Sequence, residues 1–178
     1  LSPEELPALL TAIRDRAAEA APPVAMAMAD TFGEHLRDVT LNRYSHPPFS
    51  KTPAPEGQPP ARISGDLARS VRAAPLPGSG MVAHAEAGPH TIYARLQQEG
   101  GDIFVRRRRY LKWLTDYPTD ATAFWKSERE GGGLFLNFAK SVHIPARPYM
   151  EPARDEVTGD GSLTRRAMEA FTARTRLW

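Results

Sequence analysis

From Leu6 to Val39 the apolar positions recur at steps of three and four: Leu6, Leu9, Leu10, Ile13, Ala17, Ala20, Val24, Met28, Phe32, Leu36 and Val39. That spacing lines one face of an α-helix. Ser2-Pro3-Glu4-Glu5 ahead of it is a capping box with proline at the first helical position. The pattern predicts an N-terminal helical arm over residues 1–41. At a rise of 1.5 Å per residue the arm would run roughly 50 to 60 Å, longer than the body of a domain this size. Part of it is therefore expected to pack on something else. Pro22-Pro23 falls within the pattern and is expected to kink or split the helix.

Residues 42–60 hold six prolines among Ser, Thr, Gly and Lys, and predict an extended connector that acts as a tether. Residues 61–160 then predict an α+β body. Ser64 to Val71 reads as a short capped helix. Pro77-Gly78-Ser79-Gly80 reads as a turn, and Met81 to Ala87 as an alternating segment. Tyr93 to Glu99 reads as another short helix, stopped by Gly100-Gly101. From Asp102 to Leu114, Ile103, Val105, Leu111 and Trp113 alternate with Phe104, Tyr110 and Leu114. A second alternating run holds Leu134, Leu136, Phe138, Val142 and Ile144. The two predict the antiparallel strands of a long hairpin, 102–143, with residues 115–133 at its tip. Pro145 and Pro148 fix a corner that ends the second strand and holds Arg147 extended. Residues 161–178 predict a C-terminal helix capped by Ser162, with Leu163, Ala167, Met168 and Phe171 on one side.

A chain of 178 residues can bury a core as a single domain. With no cysteine, disulfides, thiol catalysis and cysteine-ligated zinc are excluded, and stability must come from packing or assembly. The net charge of +2 is uneven. Residues 1–60 carry 5 basic and 8 acidic groups, 61–113 carry 9 and 4, and 114–178 carry 9 and 9. No apolar run approaches the ~20 residues of a membrane span, and no charged-then-apolar leader is present. The expectation is a protein that is neither membrane-bound nor exported. Leu1 is an odd first residue, which suggests a missing segment or a non-standard start codon.

Candidate chemistry is sparse. The five histidines, at 35, 46, 84, 90 and 143, show no ligand pairing on one helix, and His84, Glu86 and His90 read as solvated. Gly78-Ser79-Gly80 and Gly131-Gly132-Gly133 lack the context of a phosphate cradle and read as turns. There is no Gly-x-Ser-x-Gly elbow, and the Asp155-Glu156 pair reads as solvated charge. No enzyme, cofactor or metal is predicted.

Arg106-Arg107-Arg108-Arg109 is the one constellation that resists a bland account. Alternation along a strand would send two arginines to each face, so neither face could be buried. A solvated hairpin stem is one reading. A binding surface is the other, supported by Phe104, Tyr110, Trp113, Phe124 and Trp125 nearby, a mixture suited to acidic partners or phosphate backbones.

Three motifs in order carry a family resemblance. Pro59-Pro60-Ala61-Arg62 runs into Ser64-Gly65-x-Leu67-x-x-Ser70-Val71. Tyr93-Ala94 precedes Glu99-Gly100. Ile144-Pro145-Ala146-Arg147-Pro148-Tyr149 precedes Pro152-Ala153. With these the chain resembles the tail-completion, or neck, proteins of tailed bacteriophages, which are similar to the virion morphogenesis protein of phage Mu. The resemblance implies a small antiparallel sheet packed by helices and a structural role at the head–tail interface of the virion, without catalysis. It implies a ring, a hexamer or another cyclic homo-oligomer, seated between connector or stopper and tail-tube proteins, with DNA passing through the channel. Ser64, Gly65, Leu67, Ser70, Tyr93, Glu99, Gly100, Pro145, Arg147 and Pro148 are its signature positions. Arg106 to Arg109, Trp113, Phe124, Trp125 and Arg147 become the expected interface, facing an acidic neighbour. A nucleic-acid-binding assembly factor using residues 106–109 is the alternative. The chain departs from the family pattern between 102 and 143, where the basic hairpin is longer than the usual connection.

Overall fold

A computed structural model describes residues 5–40, 54–62, 64–106, 111–115 and 135–175, with the backbone alone at 112–115 and 135–138. The expected Ser2-Pro3-Glu4 cap, most of the connector, the hairpin tip with its glycine run, and Arg107, Arg108, Arg109, Phe124 and Trp125 lie outside the described residues. The fold is α+β.

The arm is a single helix, α1 (Glu5–Asp38), that runs through Pro22 and Pro23. The expected split does not occur. The two prolines remove two successive backbone donors, but packing on both sides of them holds the helix together, with Ala20 buried before the pair and Ala29, Gly33 and Leu36 after it. Ala29, Gly33 and Leu36 form a second stripe, on the opposite side of the helix from Ala20. The small residues on it let α1 lie close over a two-stranded sheet, with Gly33 against Val71 and Ala87.

That sheet is β1 (Val71–Ser79) and β2 (Val82–Pro89), antiparallel, with Val71 opposite Pro89 and Leu76 opposite His84 before a register shift near the turn. Ala83, Ala85 and Ala87 are partly covered while His84 and Glu86 are exposed, the alternation of a half-buried strand. β1 starts where the sequence pattern had extended a helix. The helix there, α2 (Asp66–Arg69), is only four residues long. Pro75 and Pro77 argue against a central strand, but in a two-stranded sheet both strands are edges and a missing donor is tolerated.

Helix α3 (Ala94–Glu99) stands where the sequence placed it. The long hairpin is two separate ladders. β3 (Gly101–Phe104) pairs with β6 (Ser141–Ile144), and β4 (Leu111–Thr115) with β5 (Phe135–Ala139). Phe104 opposes Ser141 but Leu111 opposes Ala139, so the register differs between the two ladders on either side of Lys140. The two ladders therefore do not share one register, and the alternation expected through Arg107–Arg109 lies outside the described residues. Val105 N–H still reaches Lys140 O at 3.1 Å, and Arg106 is exposed.

After the proline corner comes a helix the pattern missed, α4 (Met150–Gly159), followed by α5 (Ser162–Thr175), which packs along α1. Ser162 is not the cap of α5 but its first residue, buried. The Asp160 carboxylate accepts its N–H at 2.8 Å, and its hydroxyl donates to Val157 O at 3.2 Å. The expected apolar side of α5 is only partly used, since Met168 is 59% and Phe171 40% exposed.

The core is Leu36, Val39, Val71, Tyr149 and Ala153, with Phe32, Leu67 and Met150 packed against it. Arg37 Nη2 donates to Val71 O at 2.9 Å, tying the end of α1 to the start of β1. The described end of the connector also belongs to this body rather than to a tether: Ala54, Pro59 and Pro60 are buried.

Candidate functional site

The three signature motifs, far apart in sequence, meet around the corner between β6 and α4. Pro145-Ala146-Arg147-Pro148 has no regular structure of its own, so its backbone groups must be satisfied by neighbours. Gly57 N–H donates to Ala146 O at 2.9 Å, and Arg147 N–H donates to Gln97 O at 2.7 Å. Gly100 has φ 70°, and a Cβ there would lie 2.7 Å from Ala146 N and 2.9 Å from Ile144 O. Only glycine fits that approach.

Tyr149 closes the corner. Its ring is buried, at 1% exposure, and its hydroxyl donates to Ala94 O at 3.0 Å. Burial, with the nearby Glu151 charge second, pushes the phenol up to about 12. Such a tyrosine stays neutral and holds the core. Gln98, which no sequence motif singled out, caps α4. Its Oε1 accepts the N–H groups of Tyr149 at 3.0 Å and Met150 at 3.1 Å, and its Nε2 donates to Glu151. An α3 residue thus satisfies donors that α4 leaves orphaned at its start. Only the three-dimensional neighbourhood reveals that role, because a cap is normally sought on the helix it serves.

Of the other signature residues, Ser64 donates to Asp66 Oδ2 at 2.7 Å and accepts its N–H at 3.3 Å. The Ser64 hydroxyl first, and the Arg69 guanidinium second, hold the Asp66 carboxyl below its ordinary value. Gly65 takes a left-handed φ of 78° ahead of α2, Leu67 packs on the core, and Ser70 Oγ donates to Leu67 O at 2.7 Å. Glu99 accepts from Arg95 at 2.8 Å on the surface. Pro145 and Pro148 flank the corner, half-buried.

Several of these residues surround one cavity of about 270 Å³, whose lining includes Pro60, Ser64, Gly65, Leu67, Tyr93 and Arg147. Arg147 is half-buried, and its Nε–H donates to Ala54 O at 2.9 Å. Of the expected interface, Arg107, Arg108, Arg109, Phe124 and Trp125 lie outside the described residues. Arg106 is exposed just past β3, and Trp113 lies in β4 opposite Asn137.

A different surface feature emerges at the opposite end of α1. Every residue from 5 to 16 is exposed, so Leu6 (49%), Leu9 (40%), Leu10 (58%) and Ile13 (53%) form an uncovered stripe at positions i, i+3, i+4 and i+7. The periodicity in the sequence contained this stripe, but not the fact that α5 leaves it bare. His84, Glu86 and His90 are all exposed, in line with a solvated reading. Among the described residues no cluster of three metal-ligating side chains exists, and no helix is long and apolar enough to cross a membrane. No protein-family model, curated protein or solved structure matches this chain.

Proposed function

We propose that the chain is a structural subunit of the neck of a tailed bacteriophage, forming a ring that joins the DNA-filled head and its connector to the tail. The observation that carries self-assembly is the uncovered start of α1. Four large apolar side chains at helical spacing, each 40% exposed or more, gain about 1 kcal/mol apiece on being buried by a partner. An anchor pattern of i, i+3, i+4 and i+7 is the one a helix presents to a groove on another subunit. A contact between an arm and a different surface of the next copy is heterologous, and such contacts close into rings.

The setting comes from the resemblance. Its motifs support the reading because they meet in space: Tyr149 bonds to Ala94, Gly100 packs on Ala146, and Pro60, Ser64, Tyr93 and Arg147 border one cavity. The polar side chains among them cap, turn and tie the backbone, which favours a structural role over catalysis.

The test has two arms. Leu9→Asp with Ile13→Asp should leave the unfolding midpoint of the monomer unchanged, while sedimentation velocity loses the ring formed by the wild type. Particles assembled without the chain should give filled heads and free tails, and normally joined virions would refute the role.

A further inference from the structure

The cavity at the corner holds a cation whose charge the fold does not use. Arg147 donates from its backbone N–H to Gln97 O and from Nε to Ala54 O. The first holds the backbone of Arg147, the second fixes the guanidinium plane, and neither engages the terminal amino groups. No carboxylate pairs with Arg147 among the described residues. The side chain is half-buried and lines the cavity together with Arg62. Among the described residues the acidic side chain in that lining is Asp66, which is already engaged by Ser64 and by Arg69. Arg147 therefore brings to the cavity a positive charge with no carboxylate partner among the described residues, and its fork of N–H donors is held in place before any ligand arrives.

From this we infer that the cavity is a receptor for a carboxylate borne on a peptide, the acidic side chain or chain end of a neighbouring protein segment. A guanidinium anchored through Nε presents its two terminal nitrogens as a planar pair, the geometry that grips a carboxylate with two parallel hydrogen bonds. The same fork binds phosphate, so the rest of the lining decides. Ala54, Pro60, Ala61, Leu67 and Tyr93 supply an apolar wall, which suits the methylene stem of Glu or Asp and not a hydrated inorganic anion. A volume of about 270 Å³ lies just under the range of small-molecule sites and fits a single side chain with its backbone. The source of the peptide, an adjoining ring or a second copy, rests on the neck reading, whereas the chemistry of the pocket does not.

The experiment uses the full chain and N-acetyl-glutamate N-methylamide as probe, followed by the Arg147 Nε–H resonance in 15N-edited NMR. The glutamate probe should shift that resonance in a saturable manner, with affinity at least ~10-fold above its glutamine isostere and above inorganic phosphate. Gln97→Glu places a carboxylate in the cavity wall while keeping the backbone acceptor for Arg147, and should abolish binding without lowering the unfolding midpoint. Arg147→Lys, which keeps the charge but not the fork, should weaken binding ~10-fold or more. Equal affinity for the glutamate and glutamine probes, or no saturable shift, overturns the inference. Tighter binding of phosphate overturns the peptide assignment in favour of an inorganic-anion site. Probe binding by a chain that never forms rings would leave the pocket standing and sink the neck reading, and rings without probe binding would do the reverse.

Discussion

Gly100 and Ala146 are in backbone contact so close that a methyl group on the glycine would lie 2.7 Å from the alanine nitrogen. The glycine also holds φ at 70° with ψ at −177°, a conformation essentially restricted to glycine. Gly100→Ala must push the Pro-Ala-Arg-Pro corner away from α3 and strain the turn. The expected cost is about 2–4 kcal/mol of unfolding free energy, read from urea denaturation.

Gly33 is the contrasting case. It sits buried inside α1, and a Cβ there would meet Ala87 and Val71 at 3.7 Å, ordinary contact distance. Gly33→Ala should therefore stabilise the protein by about 0.5–1 kcal/mol, by restricting the unfolded chain and improving helix propensity. A thermal midpoint that falls would show that α1 lies tighter on the sheet than these distances indicate.

Removing the Gln98 cap tests whether α3 organises the start of α4. Gln98→Ala deprives two backbone donors, of Tyr149 and Met150, of their acceptor. The loss should be about 1–2 kcal/mol, with early hydrogen exchange at α4. Gln98→Glu keeps an acceptor oxygen and should recover much of the stability, but it sets a second carboxylate beside Glu151.

Tyr149 gives the fold an alkaline limit. Its phenol is raised from 10.0 to about 12 in the folded chain. A group raised on folding contributes fully below its unfolded value, so stability should hold up to pH 10 and fall as the pH climbs from 10 toward 12. The loss is on the order of 2 kcal/mol across that window. Tyr149→Phe should cost about 1 kcal/mol at neutral pH through the missing bond to Ala94 O, and should flatten the alkaline decline seen in denaturant titrations.

The parts of this structure that could be read from sequence are those governed by local periodicity. The α1 stripe, the α3 helix with its glycine stop, the end of a strand at Ile144 and the α+β class all follow from spacing and from proline and glycine stereochemistry. What could not be read is set by tertiary partners. β1 carries two prolines and forms only because β2 and α1 hold it. α4 has few apolar positions and starts on a cap donated by another helix. The buried Ala29 and Gly33 give little hydrophobic signal, because their value lies in being small. For the site, the motifs pointed to residues that come together at the corner, where Arg147 donates through Nε to Ala54 O. They did not disclose that Arg147 also borders a cavity.

The change of register at Lys140 has a consequence for how the molecule can vary. In a continuous hairpin, adding or removing one residue near the tip inverts the inward and outward side chains down the whole stem. Here β3 and β6 are registered with each other independently of β4 and β5, and the register differs between the two ladders. The outer ladder is thus a cassette: its length and sequence can change without re-indexing the strands that lead into Gly100 and the Arg147 corner. A chain built this way can be refitted to a new neighbour at one end while its framework stays fixed.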